Sequence, residues 1–365
     1  MCLIGIGSGG CAIAREIARS HGPGLAYVLA DTDAATGTEN EPFILIGGAR
    51  LAGHGAGGNY VNARMAAEDS LPLIDEAIGP VRLAVIVTTL GGGTGSGATI
   101  VITQHLRERG IPTLVFATRP FAFEGERCAR VATDVTGLIE ESAGAAFVIP
   151  FDRLVGEEDN MQAALRRGVE TLGAAITLFW RLVSKPGYIR LDTERIRHLV
   201  SNAGRGRFAV VTAEGENRVE RALDSLARSP LLIGGKVGQI LCGVLAGDDL
   251  RLSEIGRIAE GIRSSFGDKA AFELATVNDE SGFGGRLSVV VLLFEAGGAP
   301  APLLPAVRKE TAPAPAPARP RRGGRARQPP GVQPQGRFNN VEQTYWHQEN
   351  LDIPTFIRRN IELEP

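Results

Sequence analysis

Leu90-Gly91-Gly92-Gly93-Thr94-Gly95-Ser96-Gly97-Ala98 places five glycines in nine residues. The run before it, Leu83-Ala84-Val85-Ile86-Val87-Thr88-Thr89, is short, rich in β-branched residues and free of charge, so it reads as a buried strand. The run after it, Thr99 to Leu106, reads as a helix entered through the glycines. A strand, a glycine turn and a helix N-terminus make an anion site: unbonded N–H groups point outward and the aligned peptide dipoles favour negative charge. Without Cβ atoms at Gly91, Gly92, Gly93 and Gly95, phosphate oxygens can approach the main chain, and Thr94 and Ser96 add hydroxyl donors. Bulky residues at Gly93 or Gly95 are therefore expected to abolish binding with the fold mostly intact. No Gly-Lys-Ser/Thr follows, so this is not a Walker A loop. A single turn of this kind also occurs with no ligand.

Working outward, the strand Cys2–Ile6 runs into Gly7-Ser8-Gly9-Gly10-Cys11 and a helix from Ala12. Gly5, Gly7 and Gly10 satisfy GxGxxG, and Asp31 and Asp33 follow the next strand, Leu25 to Ala30, at the distance a dinucleotide-binding fold requires. An oxidoreductase competes on these residues. Gly53-His54-Gly55-Ala56-Gly57-Gly58-Asn59, between a strand (Phe43 to Ile46) and a helix (Val61 to Ser70), is a third glycine segment, and no dehydrogenase needs three. His54 reads as a solvated loop residue. Alternating short apolar strands and helices through Leu154 predict a parallel sheet covered on both faces. A long helix is expected from Met161 to Ser184, stopped by Lys185-Pro186-Gly187. From Phe208 to Glu295, strands and helices mix as in an α+β domain.

The 365 residues are 44% hydrophobic, enough for two folded domains, with no apolar run of membrane-spanning length. With no signal peptide before the first strand, the cytoplasm is expected. Cys2, Cys11, Cys128 and Cys242 are scattered, which predicts reduced, mostly buried thiols and no metal site. The net charge of −2 divides unevenly: residues 297–340 hold eight Lys/Arg against one Glu, leaving −9 on the rest. That segment is Pro, Ala, Arg and Gly, too poor in large apolar side chains to offset ordering entropy, and is expected to be a disordered tether spanning about 35–40 Å or more. Its positive charge admits an anchor to DNA or anionic lipid, although a solubilising tether is the preferred reading and no nucleic-acid partner is expected. After it, Leu351, Ile353, Phe356 and Ile357 around Pro354 make an apolar peptide suited to a partner's groove.

These stretches resemble the tubulin and FtsZ family, in family order. Gly91 to Gly97 resembles its GGGTGxG signature, Gly5 to Gly10 its GxGxxGxNAV turn, Asp31-Thr32-Asp33-Ala34 its NTDA loop, and Gly53 to Asn59 its GLGAGGN loop against the terminal phosphate. Arg119 to Arg127 looks like KPFxFEGxxR: Glu124 takes the place of the ribose-binding Glu, while the family Arg falls on Cys128 with Arg127 beside it. Phe147 to Leu154 resembles IPNDKL with Phe151 for Asn, and Leu165 to Leu172 the base-reading FGAANDVL with Val169 for Asn and Glu170 for Asp. Gly187 to Ile196 resembles the synergy loop, NxDxxD, which in the family enters the next subunit's pocket and acts on the γ-phosphate water. Asp192 matches the first Asp, Arg190 and Arg195 replace Asn and the second Asp, and Glu194 stands one residue out of register. Ser229-Pro230-Leu231-Leu232, the Ala246 to Glu254 stretch and Asn350 to Asn360 resemble the FtsZ C-terminal domain and its LDIPxFLR tail.

The resemblance implies an α/β fold in which a parallel-sheet GTP-binding domain (1–160) is joined through a central helix and synergy loop (161–206) to a smaller α+β domain (207–296). A linker (297–340) and a docking peptide (341–365) follow. It implies GTP/GDP as ligand, with Mg2+ accompanying GTP. Gly7, Ser8, Gly9, Gly10, Asp31, Ala56, Gly57, Gly58, Asn59, Gly91 to Ser96, Glu124, Arg127 and Glu170 would bind the nucleotide, and Asp192 and Glu194 would serve hydrolysis. It further implies filaments formed with itself or with another FtsZ at the division site in the cytoplasm, division proteins binding Leu351 to Asn360, and weak hydrolysis because Arg195 carries no acceptor. A non-hydrolysing scaffold is the alternative. Guanine and adenine both remain open as the base, because Val169 cannot hydrogen-bond.

Overall fold

The computed structural model describes residues 1–295 except 22–23, 155, 157–159, 186, 201–202 and 279–283, together with 345–346 and 349–350. The chain opens with β1 (Cys2–Ile6), α1 (Gly7–His21), β2 (Ala26–Asp31), β3 (Phe43–Leu45), α2 (Gly48–Leu51), α3 (Tyr60–Asp69) and α4 (Leu71–Ile78). It continues through β4 (Ala84–Thr89), α5 (Gly93–Glu108), β5 (Thr113–Arg119), α6 (Glu126–Ser142) and β6 (Ala145–Pro150). Then come α7 (Met161–Ser184), α8 (Thr193–Val200), β7 (Gly204–Glu214), α9 (Arg218–Ala227), β8 (Val237–Ala246), α10 (Leu252–Phe266), β9 (Ala271–Asn278) and β10 (Arg286–Glu295).

Ten strands form one sheet in the order β3-β2-β1-β4-β5-β6-β7-β10-β8-β9. The first six are parallel, and β1, β4 and β5 are buried almost throughout because helices cover both faces, which is why they read as unbroken apolar runs. The segment that reads as a separate C-terminal domain continues this sheet: β7 joins β6 in parallel through three residue pairs, Ala145↔Gly204 to Phe147↔Gly206. Beyond it β10 runs antiparallel to both β7 and β8, and β9 is parallel to β8. At the junction Phe116 stacks on Phe147 at 4.8 Å and Phe208 meets both edge-on. Phe147 fits there because Gly206 has no Cβ to collide with its ring.

On one face α1, α7 and α8 share a single core with both halves of the sheet, running from Leu3 through Phe179 to Val290. Helices α3 to α6 cover the other face of the parallel half, and α9 and α10 that of the antiparallel half. Helix α7 spans the bounds its sequence predicts. Leu172, Ile176, Phe179 and Leu182 form one buried stripe at helical spacing, and the helix stops where Lys185, ahead of Pro186, adopts an extended backbone. The linker and docking-peptide expectations (297–365) lie outside the described residues, apart from β11 (Tyr345–Trp346) and β12 (Glu349–Asn350), which pair antiparallel.

Candidate nucleotide site

All six parallel strands point the same way, so the loops after β1, β2, β3, β4 and β5 gather at one edge of the sheet. The chain winds outward in both directions from β1 and β4, which makes the crevice between their carboxyl ends the place where ligands bind in open α/β sheets. Helices α1 and α5 start there. Gly92 is the N-cap of α5 and no side chain caps it, so the first turn keeps unbonded N–H groups facing the crevice.

The glycine loops lie on one another. Gly7, at φ +74°, packs so closely on the start of α5 that a Cβ would come within 2.9 Å of the Gly95 nitrogen. A Cβ on Gly95 would meet the Thr89 carbonyl oxygen. The loop from Gly53 to Asn59 packs alongside: Ala34 N–H donates to the Gly53 carbonyl at 3.0 Å and Gly55 N–H to the Thr32 carbonyl at 3.1 Å. Gly57 and Gly58 both take positive φ, and Asn59 caps α3 by accepting the Val61 N–H at 2.9 Å. Arg127, in the first turn of α6, donates to the Gly58 carbonyl at 3.3 Å. Gly7 to Gly10, Gly91 to Ser96, Ala56 to Asn59 and Arg127 are thus brought together.

The hydroxyls and Asp31 do more positioning than contact. Ser96 is fully buried and its Oγ accepts the Gly91 N–H at 3.0 Å, which shapes the turn. Thr94 shares a 2.6 Å hydrogen bond with Thr32, tying α5 to the loop after β2. Asp31, 2% exposed, accepts the Thr32 N–H and the Thr36 hydroxyl, both at 2.7 Å. The expectation for Gly93 and Gly95 changes accordingly. Both are crowded by neighbours, Gly95 by the β4 backbone itself, so side chains there disturb packing, whereas nothing lies within 4 Å of a Cβ on Gly92.

Next to the turns lies a cavity of about 610 Å³, the size of a small-molecule site. Gly9, Thr89 and Gly92 line its glycine-turn end, Ala12 and Ile13 of α1 one wall, and Leu165 and Val169 of α7 the opposite wall. Pro120, Phe121, Phe123 and Phe151 close it, with Phe121 stacked between Phe123 (4.9 Å) and Phe151 (4.8 Å) at 13° to each. Exposed Glu124 stands at the mouth, one carboxylate oxygen accepting the Phe121 N–H at 2.8 Å. Glu170 is exposed on α7 and does not line the cavity. Sequence reasoning misses Thr118, a fully buried lining residue whose hydroxyl has no partner; its one signal is a polar residue late in an apolar strand.

Asp192 and Glu194 lie elsewhere. They line a second cavity of about 630 Å³ with Val81 and Arg82, just ahead of β4, and Gly110 to Pro112, just ahead of β5. That is the amino edge of the strands, separated from the glycine turns by six-residue β4, roughly 20 Å. Asp192 caps α8 by accepting the Arg195 N–H at 2.8 Å. Arg195 reaches Glu273 of β9 at 3.1 Å, and exposed Glu194 sits 3.8 Å from Arg197. Among the described residues no three His, Cys, Asp or Glu side chains gather to hold a metal ion, and no helix is long and apolar enough to cross a membrane.

Glycine turns converging at the switch point of an open parallel sheet, beside an apolar cavity, define a nucleotide-binding α/β protein. The profile of the tubulin/FtsZ family GTPase domain matches residues 1–158. The cell division protein FtsZ of Pseudomonas aeruginosa is 29% identical over 286 residues, 76% of this chain and 72% of that protein. The FtsZ dimer of M. jannaschii superposes with a TM-score of 0.74 at 26% identity, covering 80% of this chain and 87% of that one. CetZ2 from Haloferax volcanii, solved as a GTPγS-bound protofilament, gives a TM-score of 0.68 at 21% identity over 80% of this chain and 92% of its own. Residues 1–158 carry the GTPase domain of the tubulin/FtsZ family, and the chain shares the fold of that superfamily.

Proposed function

We propose that this chain is an FtsZ-like cytoskeletal protein that binds GTP at the carboxyl edge of its sheet, assembles head to tail with copies of itself and hydrolyses GTP slowly between subunits. The observation that carries the reading is the separation of the phosphate loops from Asp192 and Glu194 by the length of the strands. One chain cannot bring them together. A second copy stacked in the same orientation can, and a head-to-tail contact without closure generates a filament.

In this reading the triphosphate lies on the amides of Gly7 to Gly10 and Gly91 to Thr94, with Ala56 to Asn59 and Arg127 over the terminal phosphate. Glu124 takes the ribose hydroxyls through its other oxygen. Mg2+ would arrive with GTP and draw its ligands mainly from phosphate and water, which suits a site whose described residues form no carboxylate cage. Phosphoryl transfer depends on positioning and electrostatics, so the residues that matter orient a water in line with the γ-phosphate. Asp192 and Glu194 of the neighbouring copy can accept a hydrogen bond from that water. Arg195 has only donors and is held toward Glu273, which favours slow turnover and long-lived filaments, or a scaffold co-assembling with another FtsZ. The division-site role in the cytoplasm, and recruitment of division proteins by Leu351 to Asn360, are proposed from the FtsZ relatives. The test is phosphate release from GTP, with light scattering, against protein concentration. A rate per subunit that climbs above a threshold concentration supports an active site built between copies; a concentration-independent rate, or no GTP binding, overturns it.

A further inference from the structure

Guanine and adenine share a flat apolar face and differ at one edge. Guanine offers N1–H and N2–H donors and an O6 acceptor there; adenine offers an N6–H donor and an N1 acceptor. A protein selects guanine strongly only by aiming a carboxylate or amide oxygen at those donors, because a buried polar group left unpaired penalises the wrong base.

Among the described residues that line the cavity, Glu124 is the only side chain with such an oxygen, and the reading above gives it to the ribose. Its walls, including Ala12, Ile13, Leu165, Val169 and the exposed Phe123 ring at the end of the aromatic stack, bind any purine face by burial and stacking. The polar side chains that line it are partly engaged or lie at its other end. Arg119 donates to the Thr133 hydroxyl at 2.8 Å, one Glu124 oxygen accepts the Phe121 N–H, and Thr89 packs beside Gly9 among the phosphate turns. Glu170 follows Val169 by about 100° around α7, exposed and outside the lining. What remains is Thr118, fully buried, lining the cavity, its Oγ1 without a partner. A hydroxyl donates or accepts by rotating, so it does not distinguish the two bases.

We propose that this site takes purine nucleoside triphosphates without selecting guanine, with Val169 as the position where selectivity is lost. The proposal rests on the nucleotide reading above and concerns only the base. The test is displacement of a ribose-labelled fluorescent GTP analogue from the full chain by unlabelled GTP and ATP with Mg2+. Affinities within about fivefold of each other are expected. A GTP preference above about thirtyfold overturns the inference and leaves the nucleotide reading standing, whereas a chain that binds neither analogue nor nucleotide overturns both. V169D, which places a carboxylate on the cavity wall, is expected to raise the GTP:ATP preference at least about tenfold in protein that melts like the parent. A folded V169D with an unchanged ratio also overturns it.

Discussion

Gly92 and Gly95 stand three residues apart and answer to different constraints. At Gly95 a Cβ meets backbone, so Gly95→Ala should destabilise the protein by about 1–3 kcal/mol, read as a lower denaturation midpoint. Gly92 has open space and an extended backbone at φ −85°, so Gly92→Val should melt like the parent yet lose at least about tenfold in nucleotide affinity by filling the place of a phosphate or ribose. Arg195 is a second such case. Arg195→Asp alone would set a carboxylate against Glu273 and Asp192, so the informative variant is Arg195→Asp with Glu273→Gln, expected to release phosphate faster than the parent. Among the cysteines, burial pushes the Cys2 thiol up to about 11, Cys11 up to about 12 and Cys242 higher still, which leaves them inert. Half-buried Cys128 sits against Gly91, so one fast alkylation at Cys128, slowed by saturating nucleotide, is the expected mass-spectrometric result.

Between elements, one ion network holds the antiparallel half. Arg218 of α9, its side chain 5% exposed, pairs with Glu254 of α10 at 2.8 Å and with Asp249 at 2.6 Å, and Glu254 also accepts the Arg251 N–H. Removing one partner strands a buried charge, so Glu254→Ala should cost about 3–5 kcal/mol, while replacing Arg218 and Glu254 together by apolar residues should cost far less. Arg218 holds the Glu254 carboxyl below its ordinary 4.5, as Arg15 does for Glu41. A depressed folded value means the stabilisation is complete above the unfolded value and lost as pH falls through the folded one. Below pH about 4.5 the parent should therefore lose stability more steeply than Glu254→Gln, measured by urea midpoints from pH 7 to pH 3.

For the molecule as a whole, the two edges of the sheet make complementation the decisive assay of assembly. Gly92→Val impairs the phosphate edge and Asp192→Ala the opposite one, so each alone should hydrolyse little. Mixed in equal amounts, about a quarter of the contacts pair an intact phosphate edge with an intact Asp192, and activity should recover to that order. A mixture no more active than its components would count against a shared site.

Local chemistry wrote much of this protein plainly. Glycine turns after β-branched runs, their helices, and α7 from Met161 to Ser184 depend on neighbours within a few residues, and such signals can be read along the chain. Partnerships between distant residues cannot. That β7 joins β6 and makes one sheet depends on Gly206 leaving room for Phe147 across the strand pair, a matter of register. That Arg195 meets Glu273, seventy-eight residues on, follows from how α8 sits beside β9. That Asp192 and the glycine turns occupy opposite edges follows from strand direction, and that Val169 lines the cavity while Glu170 does not follows from the rotation of α7 on the sheet. The sequence determined which chemistry the chain carries; the tertiary structure decided what each group faces, because packing couples residues whose separation along the chain bears no relation to their separation in space.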